Sequence, residues 1–179
     1  MTDSLSTLDF WAAYPGLFDK AARVQKECFP YSPEEKGSLF YALEVCGEVG
    51  ELLNVCKKII RTRDPEKEDR LKINAFPEEA ADCVIAFTML AQSRGLEPCR
   101  PCDPPVWEKE AVHPLLIRLA KKAAGLYASA WDETVKNEDI SSAIDIIITL
   151  SLEMDCDLKG AVNEKLDKIA VRALEKHYD

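Results

Sequence analysis

The chain has no long apolar run, no excess of positive charge and few histidines, and each shortage removes a class of function. Its longest apolar stretches, around Cys83–Ala91 and Ile144–Leu150, fall well short of the roughly 20 residues that span a bilayer, so no membrane partner is expected. The net charge of −9 repels a phosphate backbone, which argues against general nucleic-acid binding. An acidic protein still binds nucleotides where metal ions stand between carboxylates and phosphates. The two histidines, His113 and His177, are isolated, and Cys99 and Cys102 make only half of a structural zinc site. No glycine-rich phosphate loop and no motif marking a serine or cysteine nucleophile occurs. The opening MTDSLSTLDF has no basic stretch followed by an apolar one, so no secretion signal is expected. Most of the seven cysteines, Cys46, Cys56 and Cys83 among them, fall in apolar helical patterns, which fits a reducing cytoplasm.

What is present is helical periodicity. Apolar residues make up 47% of the 179 and charged residues 31%, enough to bury one core. The spacing predicts an all-α bundle of about six helices with no strand of any length. They run near Ser6–Cys28, Ser32–Arg61, Pro77–Gly95, Pro114–Asp132, from Asn137, and Asp157–His177. The second starts at Ser32-Pro33-Glu34-Glu35, a cap residue, proline at the first helical position and an acid three residues on. The charged stretch from Arg61 to Phe76 is expected to be a loop.

On the second helix Ala42, Val45, Cys46, Val49, Leu52, Leu53, Cys56 and Ile60 form an apolar stripe, with Glu44, Glu48 and Glu51 on the other side. Alone, those acids read as a solvated face. The third helix changes that reading. Thr88 alone interrupts its apolar run from Cys83 to Ala91, so the helix is expected to be buried all round, yet Asp82 and Glu79 lie at its start. Spacing of three places Glu48 with Glu51, and Glu79 with Asp82, one turn apart on one face of each helix. Four carboxylates converging on one point need a cation, and hard oxygen donors suit magnesium, or manganese, better than zinc.

The two halves echo each other. Ala80-Ala81-Asp82 before CVIAFTML recurs as Ala143-Ile144-Asp145 before IIITLSL, and Val45, Val49 and Leu52 match Leu119, Ala123 and Leu126. Glu48 becomes Lys122, Glu51 becomes Gly125 and Glu79 becomes Ser142, while Asp145 keeps the place of Asp82. This reads as a duplicated helical hairpin in one domain over 1–179, with an active half of about 1–97 and a degenerate half of about 105–179. Chance similarity between amphipathic pairs is the alternative. If the halves pack pseudo-symmetrically, Lys121 or Lys122 is expected to reach the acidic site from the far side. Other candidates to touch substrate are Asn54, one turn past Glu51, and Lys58 on the acid face. Phe10 and Trp11 on the first helix either stack on a base or belong to the core.

The segments LEVCGEVGELLN and PEEAADCVIAFTMLAQSRGLE resemble the MazG-like, all-α nucleoside triphosphate pyrophosphohydrolases over about residues 38–97, roughly a third of the chain. The resemblance implies magnesium at Glu48, Glu51, Glu79 and Asp82. It also implies cleavage of a nucleoside triphosphate to monophosphate and pyrophosphate, with Glu48 the first candidate to activate water, and a homodimer. The segment AVNEKLDKIAVR resembles the family's last helix, with Lys165 and Arg172 where basic residues occur. The chain departs from the pattern at Gly47, where the family often has a second glutamate, and at Ile169, where an asparagine is common, so base and sugar recognition stay open. Hydrolysis of deoxyuridine triphosphate or phosphoribosyl-ATP is a second reading of the same site. A catalytically weak helical protein that binds nucleotides or a partner is a third.

Overall fold

A computed structural model describes residues 7–100 and 112–176. They form α1 (Thr7–Cys28), α2 (Pro33–Lys36), α3 (Ser38–Arg61), α4 (Pro65–Arg70), a π-helical turn (Leu71–Ala75), α5 (Phe76–Gln92), α6 (Val112–Trp131), α7 (Asn137–Glu153) and α8 (Leu158–Lys176). No strand occurs among the described residues, and none of their helices is long and apolar enough to cross a membrane. Cys102 and His177 lie outside the described residues, and Cys99 is exposed.

The core is built on α5 and α7. Around α5, Phe76, Ala80, Ala81, Val84, Phe87 and Leu90 are all buried, and α7 buries Ile140, Ile144, Ile146, Ile147 and Leu150. Apolar side chains on every side leave such helices stable only when neighbours enclose them. α3 packs along α5 and α6, α6 along α7, and α7 along α5, while α1 and α8 pair and cover the remaining side of α5. Cys46 Sγ lies 3.7 Å from Ala123 O where α3 meets α6. Buried hydroxyls of the bundle are hydrogen-bonded. Thr88 Oγ1 donates to Val84 O at 2.8 Å and meets Tyr14 OH, and Ser151 Oγ donates to Ile147 O.

Two departures from the sequence reading lie in the segments that precede α3 and α5. The expected helix Ser32–Arg61 is broken at Gly37. The capping box forms, with Ser32 and Glu35 bonding reciprocally, but only one turn follows. Gly37 then takes φ 81° and ψ 158°, a conformation almost restricted to glycine, and α3 starts afresh at Ser38. The charged stretch expected as a loop folds instead into α4 and the π turn. Asp64 accepts from Glu66 N–H and Pro65 follows at the first helical position, so this helix starts much as α2 does. The apolar stripe of α3 is also rotated slightly at its end: Ile59 is buried and Ile60 is exposed.

Candidate metal centre

Helical spacing and an antiparallel hairpin assemble the acids. Glu48 and Glu51 stand one turn apart on α3, and Glu79 and Asp82 one turn apart on α5. Glu51 is the charge acting most strongly on Glu79, and Asp82 the charge acting most strongly on Glu48. Pairing of 51 with 79 and of 48 with 82 is the register of two helices running in opposite directions. Carboxylate oxygens of Glu48, Glu51 and Glu79 all lie within 4.8 Å of one another.

Asp82 belongs to the neighbourhood but has a partner of its own. Lys165, carried by α8, donates to Asp82 Oδ2 at 2.5 Å and to Glu78 Oε1 at 3.3 Å. The Lys165 and Asp82 side chains are only 15% and 19% exposed. Burial opposes the Lys165 charge, but the hydrogen bond to Asp82 and its charge outweigh that and hold the ammonium above its usual range. The site therefore consists of three clustered glutamates beside one ion-paired aspartate.

Crowding and burial act on the acids in the same direction. Burial, then the charges of Asp82 and Glu51, push the Glu48 carboxyl from 4.5 up to about 7. Burial, then Glu51 and Asp82, raise Glu79, and burial raises Asp82 against the pull of Lys165. Behind them lies Cys83, fully buried, its thiol pushed far up by burial and then by Glu48, Asp82 and Glu79. The clustered groups are the glutamates Glu48, Glu51 and Glu79, a hard-oxygen donor set that fits magnesium or manganese.

A cavity of about 220 Å³ opens beside Glu48 and Asp82. Its walls include Tyr31, Phe40, Tyr41 and Met89, with Gln25 and Glu44 as polar groups. Phe40 and Tyr41 meet edge to face, and Lys36 Nζ lies 3.9 Å from the Tyr31 ring centre. Sequence reasoning missed this wall, although the aromatics in YSPEEKGSLFY just before the first acid pair were the available signal. It also missed Glu78, which shares Lys165 with Asp82.

The remaining candidates divide. Lys165 is at the site. Asn54, Lys58 and Arg172 are exposed. Trp11 is a core residue: it is 7% exposed, packs on Phe10 and Tyr14, and its indole N–H donates to Asp145 Oδ1 at 3.1 Å. With its face covered and its donor engaged, it offers no stacking platform. Lys122 bonds Asp139 at 2.9 Å in a cleft between α6 and α7 and so does not reach the acids from the far side.

Replacing Lys165 by methionine is expected to destabilise the metal-free protein by about 2 kcal/mol in urea denaturation, because Asp82 loses its counter-charge in a poorly hydrated place. A change within about 0.5 kcal/mol, the usual range for a solvated surface pair, would show that the ion pair is not part of the built site.

No protein-family model matches this chain, no curated protein matches it, and no solved structure matches it.

Proposed function

We propose that this chain is a magnesium-dependent hydrolase that cuts a nucleoside triphosphate into a monophosphate and pyrophosphate. The observation that carries the reading is the meeting of Glu48, Glu51 and Glu79 within 4.8 Å. Like charges 4 Å apart repel by about 4 kcal/mol at a protein surface, so an unmatched cluster of this kind is costly to keep. A divalent cation converts that repulsion into binding. Glu48, Glu51 and Glu79 would hold it, with Asp82 beside them. When bound, magnesium supplies charge neutralisation for the phosphates and Lewis acidity at the phosphorus under attack.

The protein's own groups account for the rest. Glu48, half-buried at the edge of the cavity, is the carboxylate assigned to accept a proton from water. The water oxygen bonds to the α-phosphorus, the bond from that phosphorus to the bridging oxygen breaks, and pyrophosphate leaves with the electron pair. The proton goes to Glu48. Lys165 fixes Asp82 from α8 and adds a positive charge where leaving phosphates would gather. A base ring would pack in the aromatic-walled cavity next to Glu48.

The test is pyrophosphate release, with and without magnesium, from triphosphates of the common bases in both sugar forms, with deoxyuridine triphosphate and phosphoribosyl-ATP included. Magnesium-dependent release of pyrophosphate from at least one of them is expected. Release of inorganic phosphate instead, or no turnover of any, would overturn the assignment and leave a nucleotide-binding or partner-binding bundle.

A further inference from the structure

A groove of about 520 Å³ lies between α1, the chain from Phe29 to Glu35 and the residues that follow α5. Phe18, Phe29, Tyr31 and Leu96 give it apolar walls. The Phe29 and Tyr31 ring centres are 6.2 Å apart, and Phe29 is one of the large apolar side chains left open to solvent. Phe29 and Tyr31 also line the cavity beside Glu48, so the two spaces share a wall. Ala22 and Gln92 line the groove and not that cavity.

One polar group in this lining is left over. Gln92, the last residue of α5, is only 8% exposed. Its Nε2 donates to Phe18 O at 3.1 Å, which fixes the sense of the amide, because the reverse orientation would set one carbonyl oxygen against another. Its Oε1 is buried and has no hydrogen-bond partner among the described residues. A buried acceptor without a partner is costly, and folded proteins keep few of them. The torsion that carries a glutamine amide is broad, so a small rotation turns Oε1 towards a donor entering the groove. The charged groups of the lining are Glu34, Glu35, Glu97 and Lys26. Glu35 is engaged by Ser32 N–H in the capping box. The others set two carboxylates against one ammonium, which does not favour an anion.

We propose that this groove binds a small planar aromatic molecule that carries an N–H donor and no negative charge. Its ring packs among Phe18, Phe29 and Tyr31, and its N–H meets Gln92 Oε1. Apolar walls with one placed polar group, enclosing this much volume, are the usual make-up of a small-molecule site. The donor satisfies an oxygen that the fold leaves unpaired, and the ring covers aromatic surface that the fold leaves open. The same chemistry excludes phosphates and carboxylates, so the occupant is not the triphosphate proposed for the acidic centre.

The experiment is a titration of the nitrogen-15-labelled full chain with benzamide, followed by the NMR shifts of its backbone and side-chain amides. Methyl benzoate, which has the same ring and no N–H, and benzoate, which is an anion, are titrated separately. Saturable binding of benzamide is expected, with shifts at the Gln92 side-chain amide and at Gly95. Methyl benzoate should bind about fivefold to tenfold more weakly, the effect of one hydrogen bond, and benzoate at least as weakly. Ala22→Phe, at an exposed position of α1, fills the groove and should weaken benzamide about tenfold or more. Gln92→Met keeps the length of the side chain and should bring benzamide down to the level of methyl benzoate. Glu51→Gln should leave binding unchanged. A helical melting curve checks each variant, and Ala22→Phe decides the matter if Gln92→Met does not fold. The proposal is overturned by the absence of saturable benzamide binding, by methyl benzoate or benzoate binding as tightly as benzamide, or by binding that survives Ala22→Phe. Binding lost in Glu51→Gln overturns it too, because the probe would then sit beside Glu48. No metal or triphosphate enters the measurement, so its failure and a failure of triphosphate hydrolysis are separate results.

Discussion

Glu51→Gln is expected to lower magnesium-dependent pyrophosphate release about a hundredfold to a thousandfold, with part of the loss regained at high magnesium. The amide keeps the volume and one oxygen but removes a charge from a three-carboxylate group. Magnesium sites rest on very few protein carboxylates, so each contributes strongly to affinity. Glu48→Gln should behave differently. Its loss, about a hundredfold or more for a missing general base, should persist at saturating magnesium, because an amide accepts no proton at any metal concentration. Steady-state rates across a magnesium titration separate the two. Identical curves for both variants would remove the division of labour, and wild-type rates in Glu51→Gln would remove the site.

That division could be drawn only in part from the order of residues. Spacing of three on two helices was enough to pair Glu48 with Glu51 and Glu79 with Asp82, because helical geometry is local. The burial of α5 followed from its unbroken apolar circumference. The same local logic applied to Asp64-Pro65 predicts α4, and the expected loop from Arg61 to Phe76 overlooks that cap. The break at Gly37 was hidden because residues on both sides favour helix, and only the backbone shows φ at 81°.

The partners of the acids were less legible. Lys165 lies 83 positions from Asp82, and no periodicity links α8 to α5. Its place was suggested only by resemblance to a family's last helix. From spacing alone Trp11 reads more often as core than as a platform, and the deciding contact, with Asp145, spans 134 positions. The cavity beside Glu48 is lined from α1, α3, α5 and α8, with Tyr31 ahead of α2, so it exists only once the helices have packed.

The acid cluster makes a second large effect, on stability, which requires no substrate. In the folded metal-free protein Glu48 holds its proton up to about pH 7, against 4.5 without the fold. A carboxyl whose folded value is raised stabilises the fold fully below 4.5, and that contribution is lost as pH rises through about 7. Glu79 and Asp82 shift in the same direction. In EDTA the protein should therefore lose stability between about pH 5 and pH 8, by about 1–2 kcal/mol from Glu48 once solvent screening is allowed for. Magnesium binds the ionised folded cluster and should reverse the loss. At a hundred times its dissociation constant it adds about 2.7 kcal/mol, or roughly 5–10 °C in melting temperature for a chain of this size. Glu48→Gln should invert the order. Near pH 8 the variant melts above the wild type in EDTA, because its amide does not ionise, and below it in magnesium, because it binds the cation less well. Calorimetric melting of the two proteins in both buffers reads this crossing directly. Parallel curves, with magnesium raising both equally or neither, would mean that the glutamate oxygens do not act together on a cation.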